Sequence, residues 1–380
     1  MAAEKTQKKE KKSHKKRADF IFGGLFVCVV LFLIAYLFFC TNFLSGDYKF
    51  LGSDTSLSAT STTLKASPPQ LDKVAYDVKL VQLANYPVAT TSKSAATSTA
   101  SSTPLVVHPW PVKTVYPNYG ALLPFNRIVA YYGNFYSTSM GVLGQYPPDQ
   151  MIEKLSAAAA DWQAADPTTP VIPAIDYIAV TAQGSAGTDG KYRLRMPDSQ
   201  IDKALELADR VGGIVVLDIQ VGLSDVQTEL SLLEKYLKLP QVHLALDPEF
   251  AMKNGARPGT VIGTMDASDI NFAATYLARL VRENDLPPKI LIVHRFTTKM
   301  VTNSRQISPL PEVQIVMDMD GWSIPAKKVK TYLDVIYDEP VQFTGFKLFY
   351  KNDLAEPTKR LLTPSELLRL KPQPSFIQYQ

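Results

Sequence analysis

Six apolar runs in this chain end in ionisable side chains, and two of the six end in a pair of acids. They are "VIPAIDYIAV" with Asp176, "GIVVLDIQVG" with Asp218 and Gln220, "HLALDPEF" with Asp247 and Glu249, "KILIVHRF" with His294, "VQIVMDMDG" with Asp318 and Asp320, and "FTGFKLFY" with Lys347. Side chains alternate along a strand, so residues two apart share a face. Asp247 and Glu249 therefore point the same way, and so do Asp318 and Asp320. Paired carboxylates suit glycoside hydrolysis, in which one carboxylic acid protonates the leaving oxygen and a second carboxylate stabilises or attacks the sugar cation. Glu249, farthest along its run, is the expected proton donor. Asp247 raises its proton affinity by like-charge repulsion, and Asp218 and Asp318 are the candidates for the second carboxylate. Tyr132, Asp176, Gln220, His294, Asp320, Trp322 and Lys347 are the expected substrate-binding groups. Tyr177, Phe250, Phe296 and Tyr350 offer further flat faces for sugars near the ends of the same runs.

Other chemistries fit less well. The chain has four histidines, and only His294 falls at such a run's end, so a His-rich zinc site is not expected. No metal and no cofactor are expected. An all-oxygen Mg²⁺ or Ca²⁺ site built from Asp218, Asp247, Glu249 and Asp318 is the alternative enzymatic reading. The Gly-rich stretches "TAQGSAGTDGKYRLR" and "KNGARPGTVIG" lack the spacing of a nucleotide-binding loop.

The elements that must carry these residues follow a repeating strand-then-helix beat. Strands are expected over 127–133, 171–180, 213–222, 242–250, 289–296, 313–321, 343–350 and 375–380. Helices are expected over 149–165, 199–211, 269–284 and 327–337. A further helix is expected to open on a Ser224/Gln227 capping box and a short one on Thr363, Pro364 and Glu366. Uninterrupted apolar runs mark strands covered on both faces. Eight of them separated by helices predict a (β/α)8 barrel, whose sites gather at the C-terminal ends of the strands. The rival, a doubly wound open sheet, calls for a Gly-rich phosphate turn after its first strand, and "YYGNFYS" is not one.

Charge and hydropathy divide the rest of the chain. Residues 1–18 hold eight Lys and Arg against Glu4 and Glu10, a net of +6, which leaves 32 basic and 34 acidic residues in the remainder, a net of −2. A nearly neutral domain offers no field for nucleic acid, which is not an expected partner. Residues 20–40 contain no charge and would span about 30 Å as a helix, enough to cross a bilayer. The expected organisation is a basic cytoplasmic tail (1–18), a transmembrane anchor (19–41), a Ser/Thr/Pro-rich stalk (42–120) and an extracellular barrel (121–380). Within the stalk, "VAYDVKLVQLANYPV" alternates weakly and reads as a strand that docks elsewhere. Cys28 and Cys40 are the only cysteines, so the exported part has no disulfide framework.

The ending "LALDPEF" resembles the Asp-x-Glu strand end of the chitinase-like (family 18) glycoside hydrolase barrels. That resemblance implies an acid role for Glu249 and an assisting role for Asp247. The further acidic residues of that family's pattern are replaced by "QVHLAL", and its Ser-x-Gly-Gly by "LDIQVG". The series "YYGN", "LDIQ", "ALDPEF", "LPPKILIVHRF" and "MDMDGW", over residues 127–350, is more similar to secreted bacterial glycosidase-like barrels of uncharacterised function. The resulting expectation is a cell-membrane protein that acts on or binds cell-surface or wall polysaccharide. A catalytically silent barrel that binds glycan or protein is the alternative.

Overall fold

The computed structural model describes residues 70–86, 108–354 and 360–380. All eight expected strands form: β1 (Arg127–Gly133), β2 (Val171–Ala182), β3 (Ile214–Ile219), β4 (Val242–Leu246), β5 (Lys289–Arg295), β6 (Val313–Met319), β7 (Phe343–Leu348) and β8 (Phe376–Tyr379). Each pairs in parallel with its neighbours in the chain. β1 also pairs with β8, through Ile128 opposite Phe376 and Tyr131 opposite Tyr379, and this closes the sheet into a barrel. An open doubly wound sheet would leave two edges, so the register decides between the two predicted folds.

Strand alternation builds two separate cores. The outward row includes Val129, Ile175, Leu217, Leu244, Leu291, Ile315, Phe346 and Ile377, and it packs with helix residues such as Leu155, Trp162, Ile201 and Leu277. The inward row (Ile128, Ala130, Ala174, Val216, Ala245, Ile292, Val316, Phe376) fills the lower half of the barrel, where Leu123 and Tyr76 join it. Gln314 anchors this plug by hydrogen-bonding both the N–H and the C=O of Leu123, at 3.1 and 2.6 Å.

The helices begin where their caps dictate. The one over Pro148–Ala165 starts with proline at its first turn and Asp149 beside it, a favourable charge for that end of the dipole. Asp266 and Asp269 form a reciprocal capping box for Ala267–Asn284, and Thr363 with Glu366 does so for Pro364–Leu367. The helix over Val226–Leu232 departs from expectation. Its cap is Asp225, accepting from the Thr228 N–H at 2.7 Å, while the Ser224 hydroxyl donates to Glu229 at 2.6 Å.

The expected strand inside the stalk is instead helix α1 (Lys73–Ala84). Val74, Tyr76, Val78 and Leu80 do alternate, but Tyr76, Leu80 and Leu83 also recur at helical spacing, and it is this set that meets the barrel. Asn85 ends the helix in the left-handed conformation, and its side-chain amide donates to the carbonyls of Leu368 and Leu370 at 3.1 and 2.9 Å. Trp110 is also buried, donating from Nε1 to the Tyr337 carbonyl at 3.0 Å. Part of the predicted stalk therefore belongs to the folded unit. The tail, the anchor over 19–41 and the rest of the stalk lie outside the described residues. Among the described residues, no helix is long and apolar enough to cross a membrane.

Candidate active site

Above the apolar plug the inward row turns polar, and it does so on every strand. β1 contributes Tyr132, β2 Asp176, β3 Asp218 and then Gln220, β5 His294, β6 Asp318 and then Asp320, β7 Lys347, and β8 Gln378. Asp247 follows β4 directly and accepts from the Glu249 N–H at 3.1 Å, starting a single 3-10 turn, Pro248–Phe250, that lifts Glu249 to the rim. These groups separate into two tiers.

The lower tier is fully buried and does not line the cleft. His294 is held through both ring nitrogens, with Nε2 at 2.9 Å from Asp218 Oδ2 and Nδ1 at 3.1 Å from Asp318 Oδ2; Asp320 Oδ2 lies 3.5 Å from Nδ1. Gln378 donates to Asp176 Oδ2 at 2.5 Å. A Cβ on Gly345 would sit 2.4 Å from Asp318 Oδ1, so the close approach of Asp318 requires glycine there. The second Oδ atoms of Asp176, Asp218 and Asp318 have no hydrogen-bond partner.

The upper tier lines a cleft of about 650 Å³ at the C-terminal ends of the strands. Its floor and walls include Tyr132, Gln220, Asp247, Glu249, Asp320 and Lys347. Phe250, Phe296, Phe349 and Trp322 supply apolar faces, and Trp322 is 61% exposed. Gln220 ties the floor together: Nε2 donates to Tyr132 at 3.2 Å and to Asp247 Oδ2 at 3.1 Å, while Oε1 accepts from the Ala182 N–H at 3.0 Å. Lys347 Nζ pairs with Asp320 at 3.1 Å and lies 3.8 Å from the Tyr132 ring centre. Lys328 steadies this corner, donating to the Lys347 carbonyl at 2.8 Å and pairing with Asp353 at 2.6 Å.

The charges cannot all be present together. Six carboxyl groups, five of them buried (Asp176, Asp218, Asp247, Asp318, Asp320) and Glu249 half-buried at the rim, face two bases, His294 and Lys347. Several acids must keep their protons. Burial, followed by the charge of Asp218, pushes Asp176 up to about 8. Burial and then Asp320 push Glu249 up to about 7. Asp247 is driven well above the ordinary carboxylate range by burial and Asp218. Burial alone would keep His294 neutral, but its hydrogen bonds to Asp218 and Asp318 outweigh burial and hold it well above the usual value. Burial likewise opposes the charge on Lys347, and the surrounding acids, Asp320 first, raise it above its ordinary value.

The expected site residues therefore meet at one end of the barrel, but not all at the cleft. Tyr132, Gln220, Asp247, Glu249, Asp320, Trp322 and Lys347 line it. Asp218 and Asp318, expected as second carboxylates, lie beneath it, as do Asp176 and His294, expected to meet substrate. The reason is stagger: two residues farther along, Ile178, Gln220, Phe296 and Asp320 take the cleft-lining places above Asp176, Asp218, His294 and Asp318. Tyr177 has the opposite parity from Asp176, so it faces outward and stacks on Phe135 at 4.8 Å. Tyr350 leaves the cleft for a hydrogen bond with the Tyr131 hydroxyl. Gln378 and Gly345 were not expected at the site, although the alternation "SFIQYQ" puts Gln378 in line with buried Phe376. Among the described residues, no group of three or more His, Cys, Asp or Glu is arranged to hold a metal ion. Asp218 and Asp318 turn to His294, so the proposed oxygen set does not come together.

No protein-family model matches the chain, and no curated protein does. Solved structures similar to it include the cellulase Cel5C_n, at 12% identity over 58% of this chain and 65% of the cellulase, with a TM-score of 0.33. The chain thus spans just under two thirds of that cellulase. The clostridial cellulose synthase subunit Z from Clostridioides difficile matches at 10% identity over 67% of this chain and 92% of its own, with a TM-score of 0.36. A GH18 chitinase from Pseudoalteromonas aurantia matches at 10% identity over 67% and 94%, with a TM-score of 0.31.

Proposed function

We propose that this protein is a membrane-anchored, extracellular glycoside hydrolase acting on cell-surface or wall polysaccharide. The observation that carries the reading is the cleft itself, where Glu249 and Asp320 share one space with an exposed tryptophan above a polar floor. In this reading Glu249 donates its proton to the glycosidic oxygen as the bond to the anomeric carbon lengthens. A carboxyl pushed up to about 7 still carries that proton near neutral pH and can give it up. Asp320, held by Lys347, replaces Asp218 and Asp318 as the carboxylate that stabilises the developing positive charge on the sugar. Asp247 has both oxygens occupied, by Gln220 and the Glu249 N–H, so it positions the donor. Trp322 and Phe296 offer apolar faces to the sugar rings. The anchor rests on the uncharged stretch 20–40 behind its basic tail.

Reducing ends released by the full-length protein in detergent, on a panel of wall and storage glycans, test this. The parent is expected to cleave at least one glycan, and Asp320→Asn to lower that rate by a hundredfold or more. Tight binding of a glycan by a parent that cleaves none would replace the enzyme with a binding barrel.

A further inference from the structure

His294 occupies the point beneath the cleft where acids carried by β2, β3, β4 and β6 converge. A neutral imidazole has one N–H and one acceptor nitrogen, whereas both nitrogens here face carboxylate oxygens. Both can accept from the ring only if both nitrogens carry protons; burial pushes Asp318 up, and its hydrogen bond to His294 opposes that rise. The ring is fully buried, so no solvent screens it. We propose that His294 is a positioning residue whose imidazolium, gripped by Asp218 and Asp318 and 3.5 Å from Asp320, fixes Asp320 and sets the field in which Glu249 holds its proton. This rests on the glycosidase reading for its consequence, but not for its geometry.

The groups around the ring are those that matter to the cleft. Tyr132 of β1 meets it edge-on, with ring centres 6.0 Å apart. Asp176 of β2, and Asp247 and Glu249 after β4, each feel its charge, which lowers their proton affinity. Asp218 of β3 and Asp318 and Asp320 of β6 are its partners. Lys347 of β7 is the second cation, and Gln378 of β8 adds no charge. Without the imidazolium, six acids would face a single lysine.

Two measurements on the full-length protein in detergent test this, one of them independent of any glycan. The chain has four histidines, so ¹⁵N labelling at histidine gives four ring systems, and the one lost in His294→Gln is His294. Its two nitrogens are expected to be protonated at pH 7, and Asp218→Asn is expected to move its deprotonation to lower pH. A ring that is neutral at pH 7 in the parent overturns the proposal. On the glycan that the parent cleaves, the alkaline limb of the pH–rate profile in His294→Gln is expected to move up by on the order of half to one pH unit. A residue that only packs would lower the rate at every pH without moving the limb, and that result also overturns the proposal. If the parent cleaves no glycan, the glycosidase reading fails while the histidine signals still decide the state of the clamp. If His294→Gln does not fold, the signal displaced by Asp218→Asn identifies the ring.

Discussion

Asp176 shows how burial alone changes what a residue can do. At a solvated position it would be an ordinary carboxylate, but on the inner face of β2 it is fully buried, its second oxygen is unpartnered, and its pKa reaches about 8. Parity, which sequence shows, places it inside; depth, which sequence does not show, keeps it out of the cleft. The same holds for Asp218, Asp318 and His294. Asp320 could be recognised only by its place two residues beyond Asp318. Asp176 also has a consequence for stability. An acid whose folded pKa exceeds its unfolded value of about 3.9 binds the proton more tightly in the folded state, so it contributes stability below pH 4 that is lost as pH rises through about 8. His294 acts in the same direction. The Tm of the parent is expected to fall between pH 5 and pH 8, and Asp176→Asn, which keeps an acceptor for Gln378, is expected to flatten that fall. An unchanged slope in the variant would assign the loss to other groups.

At the scale of elements, the eight strands were legible because each is an unbroken apolar run, and the helix starts because prolines and side-chain caps mark them. Helix α1 was not, because its apolar residues satisfy both periods and the arbiter is the barrel's lower end, which lies far away in sequence. Tyr76 records that choice, being buried against the plug that Leu123 completes. Replacing it with alanine removes a buried ring and leaves a cavity, a cost of about 3 kcal/mol. Denaturant titration of Tyr76→Ala is expected to show that loss, whereas Val78→Ser, on the exposed face, is expected to change stability by less than about 0.5 kcal/mol. Equal stability of Tyr76→Ala and the parent would mean that α1 contributes nothing to the folded unit.

Across the whole molecule, the barrel separates stability from chemistry. Its lower half holds apolar side chains, Leu123 and the docked α1, while its upper half gathers acids that the surrounding fold keeps from solvent. The sequence could show that the polar residues lie at one end, since most of them fall at or just past the ends of their strands, but it could not show the two tiers or the pairing of Lys347 with Asp320. In the proposed reaction Glu249 gives its proton to the leaving group. This step is tested most directly by comparing Glu249→Gln on the natural glycan with the same variant on a dinitrophenyl glycoside of the same sugar, whose leaving group needs no proton. The expected result is a loss of about a hundredfold or more on the glycan and a far smaller loss on the activated substrate. Equal losses on both would contradict the assignment of Glu249 as the proton donor.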